Sequence, residues 1–279
     1  MTEPQPDSPH VTRLFPSPNH GARAGGRGGE DRAPDSIILH YTGMAEASSA
    51  LLWLANPIAQ VSAHYFVFED GRIFQLVPES RRAWHAGRGS WHGETDMNSA
   101  SIGIEIAHPG HDLGRPFGPN GQPLLLPEGV KPNPYPPLGP PFPDEQIEAV
   151  IRLVADIKAR WNIPDSRILA HSDIAPGRKI DPGENFPWER LAAAGIGLWP
   201  NIAPVIGGPN YRRGDEGMPV AALQSLFANV GYGLEITGVF DERMEAVVAA
   251  FQRHWRPAKV DGVADAETLQ RLRAIAAMI

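Results

Sequence analysis

At 279 residues, with 42% hydrophobic and 20% charged side chains, the chain is long enough for two ordinary domains and apolar enough to bury a proper core. A net charge of −7 and the lack of any Lys/Arg run exclude a binder of nucleic-acid backbones. With no cysteine there is no disulfide, thiolate metal site or cysteine nucleophile, so any metal must be held by histidine and carboxylate.

Residues 1–34 are rich in Pro, Gly and polar side chains and are expected to form an irregular arm. The opening residues show no basic start followed by an apolar run, and no stretch approaches about eighteen apolar residues, so the expectation is a cytoplasmic protein without a membrane span, the alternative being the periplasm or cell envelope by non-classical export. SIILHY at 36–41 is a β-branched run suited to a buried strand that ends near His40. Residues 56–61 are expected to close a helix and turn. HYFVFEDGRIFQLVP, from His64, predicts a hairpin joined at Asp70-Gly71, a dipeptide that tight turns favour. Beyond the polar loop AWHAGRGSWHG, residues 101–107 predict a strand in which Glu105 faces away from Ile104 and Ile106.

Residues 109–143 hold 12 of the 29 prolines, which predicts a long surface excursion rather than a regular element. A helix with Asp144 as its N-cap and an apolar stripe of Ile147, Ile151, Val154 and Ile157 is expected next. A last short strand, 167–170, delivers His171. This alternation predicts an α/β fold with a mixed central sheet flanked by helices. The composition changes near Trp199-Pro200, and 200–213 reads as a linker. Three apolar stripes follow, around Val220–Val230, Met244–Phe251 and Leu269–Ile275. With Asp241 and Asp265 as caps of the second and third, they predict a three-helix domain over 214–279.

The chemistry is densest in HSDIAPGRKIDPGENFPW, 171–188, where an imidazole, an ammonium and a carboxylate share a loop framed by Pro176, Gly177, Pro182 and Gly183. Hydrolytic zinc sites use three N/O protein ligands and keep a fourth position for water. His40, His171 and Asp181 could supply such a set. Spacing alone equally allows three polar residues satisfied at strand ends.

LHYTGM at 39–44, VSAHYFVFEDGRIFQLVPE at 61–79, AWHAG at 83–87, SIGIEI at 101–106 and AHSDIAPGRKIDPGENFPW at 170–188 occur in one order. Together they resemble the zinc-dependent N-acetylmuramoyl-L-alanine amidases of the AmpD/AmiD type (the amidase 2 family), over residues 15–199. The resemblance implies one Zn2+ per chain on His40, His171 and Asp181, an acid/base carboxylate at Glu105 and an oxyanion-side lysine at Lys179. The reaction implied is cleavage of the amide between the lactyl group of N-acetylmuramic acid and L-alanine.

Each role has a plainer rival. Glu105 could be an ordinary strand carboxylate, and Lys179 a loop cation paired with Asp173 or Glu184. The resemblance also places His64 and His85 either behind the ligands or facing substrate, and Trp84, Trp91 and Asn98 along the same cleft as substrate contacts, against purely structural roles for the two histidines and a core-filling one for Trp91. His92, His108, His111 and His254 carry no assignment.

VAALQSLFANVGYG, TGVFDERMEAVVAAFQRHW and DGVADAETLQRL resemble the three-helix peptidoglycan-binding domain type 1. That implies a wall anchor raising local substrate concentration, the alternative being a packing appendage. The partners implied are peptidoglycan fragments or anhydro-muropeptides, with no choice between free fragments and intact sacculus. A non-catalytic muropeptide receptor on the same fold is the competing function.

Overall fold

The computed structural model describes residues 5–24, 32–111 and 138–279. Its centre is a six-stranded mixed sheet ordered β1-β5-β4-β7-β3-β8, made by Arg13–Leu14 (β1), Ser36–Tyr41 (β3), Tyr65–Val67 (β4), Ile73–Gln75 (β5), Ser101–Ile106 (β7) and Ile168–Ala170 (β8). Strand β7 runs parallel to both β3 and β4, and β8 runs parallel to β3. The Asp70-Gly71 turn joins β4 to β5 in antiparallel register, as the sequence predicts.

Side chains alternate across a strand, so each strand divides its residues between two faces. After the short helices Ala47–Leu54 (α1) and Met97–Ala100 (α2) comes Asp144–Trp161 (α3), whose Ile147, Val150, Leu153, Val154 and Ile157 pack on one face of the sheet against Ile37, Leu39, Tyr65, Val67, Ile102, Ile104 and Ile106. Ile151, expected in that stripe, is only partly buried. The opposite face carries Ile38 and His40 of β3 beside Gly103 and Glu105 of β7, paired in register.

Two expectations change. Residues 1–34 are not wholly irregular: β1 extends the sheet beside β5, and His20–Ala22 (β2) pairs antiparallel with Arg81–Ala83 (β6). The signal missed there is short, because two- and three-residue strands carry no measurable periodicity. Asp144 is the first residue of α3 rather than its cap. Pro143 holds the cap position with no side-chain cap bond, and Asp144 pairs with Arg190. The Pro-rich excursion lies mostly outside the described residues. Among those described, no helix is long and apolar enough to cross a membrane.

Beyond the short helix Trp188–Ala193 (α5), three further helices form the C-terminal module: Met218–Val230 (α6), Glu242–Trp255 (α7) and Ala266–Met278 (α8). Asp241 and Asp265 accept the backbone N–H groups of Met244 and Thr268, as expected of N-caps. Tyr211, within the stretch read as a linker, is already paired with Ala264 of this module by two backbone bonds. The module packs directly on the sheet domain: Phe227, Tyr232, Val247, Phe251 and Trp255 share one apolar cluster with Ile38, Ala86, Trp91, Leu169 and Ile174.

Candidate active site

His40 lies near the C-terminal end of β3, Glu105 near that of β7, and His171 directly after β8. Three neighbouring parallel strands thus deliver their functional side chains to one crevice, the usual ligand position in open α/β sheets. His171 begins a four-residue helix, α4 (His171–Ile174), and the Pro/Gly loop after it brings Asp181 back to face both histidines.

His40 Nδ1 is 2.9 Å from His171 Nδ1 and 3.0 Å from Asp181 Oδ2, and His171 Nδ1 is 2.9 Å from the same oxygen. These three buried residues are the one group of His and acidic ligands among the described residues able to hold a metal ion. The far nitrogens fix the chemistry of the near ones. His171 Nε2 faces Ala86 O, an acceptor only, at 2.9 Å, so in the neutral ring the proton sits on Nε2 and the Nδ1 lone pair points at Asp181. A lone pair set against a carboxylate is repulsive unless a cation lies between them, so the donor set fits a metal. Burial and the neighbouring His171 push His40 down to about 4, favouring the neutral, ligating form. Burial alone would raise Asp181, but the two imidazoles hold it well below the usual carboxylate range.

Two residues away from the cluster keep its ligands in place. His85 Nδ1 sits 3.0 Å from His40 Nε2, and the His85 ring packs over Gly103, where an added Cβ would come within 2.4 Å of it. Only glycine at 103 leaves room for that imidazole. Asn98 Oδ1 accepts the N–H groups of His85 and Ala86, at 2.9 and 2.8 Å, holding the residue whose carbonyl accepts from His171.

Glu105 is in register with His40, and its Oε2 is shut off from solvent with no hydrogen-bond partner. Burial, with the charge of Asp181 adding and that of Lys179 opposing, lifts its carboxyl to about 8. The half-buried Lys179 therefore acts electrostatically on Glu105, and on His40 as well. Neither rival partner is available to it. Asp173 bonds Ala170 N, Tyr232 and His254, while Glu184 bonds His111 and Arg253.

A family model for N-acetylmuramoyl-L-alanine amidase matches residues 30–184, and one for a peptidoglycan binding domain matches residues 216–272. The chain is 38% identical over 239 residues to the N-acetylmuramoyl-L-alanine amidase AmiD of Escherichia coli, spanning 83% of this chain and 78% of that one. The chain belongs to the N-acetylmuramoyl-L-alanine amidase family. This amidase also shares its fold with Escherichia coli AmiD solved with the substrate anhydro-N-acetylmuramic acid-L-Ala-D-gamma-Glu-L-Lys, at a TM-score of 0.71 and 34% identity over 92% of this chain and 93% of that one. For AmpDh3 of Pseudomonas aeruginosa in complex with anhydromuramic pentapeptide the TM-score is 0.68 and the identity 29%, over 90% and 94% of the two chains.

Of the five side chains expected to contact substrate, only Trp84 keeps a half-buried ring at the surface of the amidase. Trp91 is 1% exposed and is wedged against Tyr232 and Gly231 of the C-terminal module, so it fills a core and cannot stack on a ligand. Asn98 spends its oxygen on two backbone N–H groups, and His85 stands behind His40. His64 is fully buried, accepting Gly103 N–H at Nδ1 and donating from Nε2 to Arg81 O, with the buried Arg23 guanidinium alongside. Arg23, which the sequence reading passed over, also donates to the carbonyls of Glu79, Ser99 and Ser101, fastening the N-terminal arm to the sheet.

Burial and then the Arg23 charge push His64 down to about 3. A base with its folded pKa below its unfolded value near 6.5 lends full stability above that pH, and the stability drains away as pH falls toward 3. Urea unfolding at about pH 7.5 and about pH 5 should show the native chain losing roughly 2 kcal/mol more than His64→Gln does, at about 1.4 kcal/mol per pH unit of the titration range. Equal losses would remove His64 as the cause.

Proposed function

We propose that the protein is a zinc-dependent N-acetylmuramoyl-L-alanine amidase acting on peptidoglycan fragments of the anhydro-muropeptide type. The observation that carries this is the convergence of His40, His171 and Asp181 donor atoms, 2.9–3.0 Å apart, beside a carboxyl on the neighbouring strand whose Oε2 is shut off from solvent. The anhydromuramyl peptides bound to AmiD and AmpDh3 support the choice of muropeptide.

Zinc held by the three ligands would act as a Lewis acid and bring the pKa of water to about 7. Glu105, poised near neutrality by burial, takes the proton from the attacking water and returns it to the leaving amine of L-alanine. Lys179 places its ammonium where negative charge grows on the carbonyl oxygen. His85, Ala86 and Asn98 hold the two imidazoles so that their lone pairs converge. The C-terminal module supplies a second contact with the wall polymer.

Metal analysis of the purified chain, paired with turnover of an anhydro-muropeptide, tests this. Zinc uptake with release of free stem peptide is the expected result. Binding of the muropeptide without turnover of either fragment or sacculus, even with zinc added, would make the chain a muropeptide receptor, and strong preference for whole sacculi would overturn the fragment substrate. Lys179→Ala is expected to keep the zinc and lose about 2–4 kcal/mol of transition-state stabilisation, roughly 30-fold to 10³-fold in kcat. Unchanged kcat in that variant would remove Lys179 from the mechanism.

A further inference from the structure

His171 opens α4, and the third residue of that short helix, Asp173, is buried beneath the C-terminal module. Asp173 Oδ2 accepts the N–H of Ala170, the residue joined to His171, at 2.8 Å. Its other two donors come from the C-terminal module: the Tyr232 hydroxyl reaches Oδ1 at 2.9 Å, and His254 Nδ1–H reaches Oδ2 at 2.6 Å. His254 is itself clamped, its ring stacked between Trp188 at 3.7 Å and Trp255 at 3.8 Å. Asp173 and His254 are each 1% exposed. The same helix is tied to the other side of the cluster, since Ser172 N–H donates to Asp181 O at 3.0 Å.

A carboxylate in such a place is strongly unfavourable without donors, because no water replaces them. Helix α4 is therefore locked to wherever Tyr232 and His254 stand. An appendage that merely packed on the sheet would need apolar surface alone. Here two polar groups, from the end of α6 and from α7, converge on one oxygen pair in the helix that begins with His171.

We propose that Tyr232 and His254 are positioning residues for the metal site, acting through Asp173 to fix His171. This rests on the zinc reading above and extends it: the C-terminal module sets metal affinity as well as any contact with wall. Groups that orient a metal ligand from outside typically change affinity about 10–100-fold when removed.

The test is the zinc dissociation constant of the full chain, measured by competition with a chelating dye, alongside melting of the metal-free protein. Tyr232→Phe deletes one hydroxyl and keeps the ring; His254→Leu deletes the donor. Each is expected to weaken zinc binding about tenfold. His254→Gln, which retains an N–H donor, should recover part of that loss. Leu269→Ala loosens the core of α8 without touching a donor of Asp173, and should lower the melting temperature with zinc affinity unchanged. Native zinc affinity in both Tyr232→Phe and His254→Leu would overturn the proposal, as would a loss in Leu269→Ala equal to theirs. The wild-type chain in the same titration separates the two readings. If it takes up no zinc, the proposed function falls and this inference with it; if it binds and the variants match it, only the coupling falls.

Discussion

Glu105→Gln is expected to lower kcat by about 10²–10⁴-fold while leaving zinc content and KM close to native. Glutamine fills the same volume but cannot accept a proton, so the substitution separates proton transfer from shape. The alternative, a strand carboxylate of no chemical consequence, predicts native turnover. A second readout points the same way for a physical reason. Glu105 Oε2 is buried without a partner, and burial holds its carboxyl near 8, so a charged glutamate there is a standing cost to the fold. The melting temperature of metal-free Glu105→Gln should therefore rise above native at about pH 8 and higher, where that cost is fully felt. A variant both slower and more stable marks a residue retained for chemistry. Native turnover, or a lowered melting temperature, would return Glu105 to the scaffold.

His171→Ala carries the other large effect. It deletes one of three ligands and leaves Asp181 and His40 facing each other, and zinc affinity should fall by more than about 100-fold, beyond what loss of an outer partner costs. Turnover should disappear with the metal. Melting of the metal-free form should drop as well, because Ala86 O loses its imidazole donor and keeps only Arg178. Zinc content equal to native by metal analysis would show that the ion is held elsewhere. Together the two substitutions split the site: one variant keeps metal without chemistry, the other loses both.

The fold and the cluster of His40, His171 and Asp181 were readable from sequence because they depend on strong local signals. The hairpin announced itself through Asp70-Gly71, the caps of α7 and α8 through Asp241 and Asp265, and the metal cluster through long blocks in a fixed order. What the sequence left open has a different cause. His64, His85, Trp91 and Asn98 stand in the same blocks as the ligands, and a linear block cannot distinguish residues that face a ligand from those that stand behind it. Burial decides that, and burial is a property of the assembled sheet: Gly103 admits His85, Arg23 closes over His64, and Tyr232 covers Trp91. His254 was missed for the same reason, although one clue was present. It lies three residues after Phe251 on the apolar stripe of α7, so a histidine there had to be buried and had to find a partner.

The stretch between the two modules looks in the sequence like a tether, and a tether would make wall capture a matter of chain statistics, with effective concentration set by linker length and stiffness. The docked arrangement replaces that with fixed geometry. With Phe227, Tyr232 and Trp255 sunk into one core with Ile38 and Leu169, any polymer held by the C-terminal module meets the crevice at one distance and one angle. A polymer bound at both places would have to span a rigid gap of fixed length and bend, and reach would not grow with added linker.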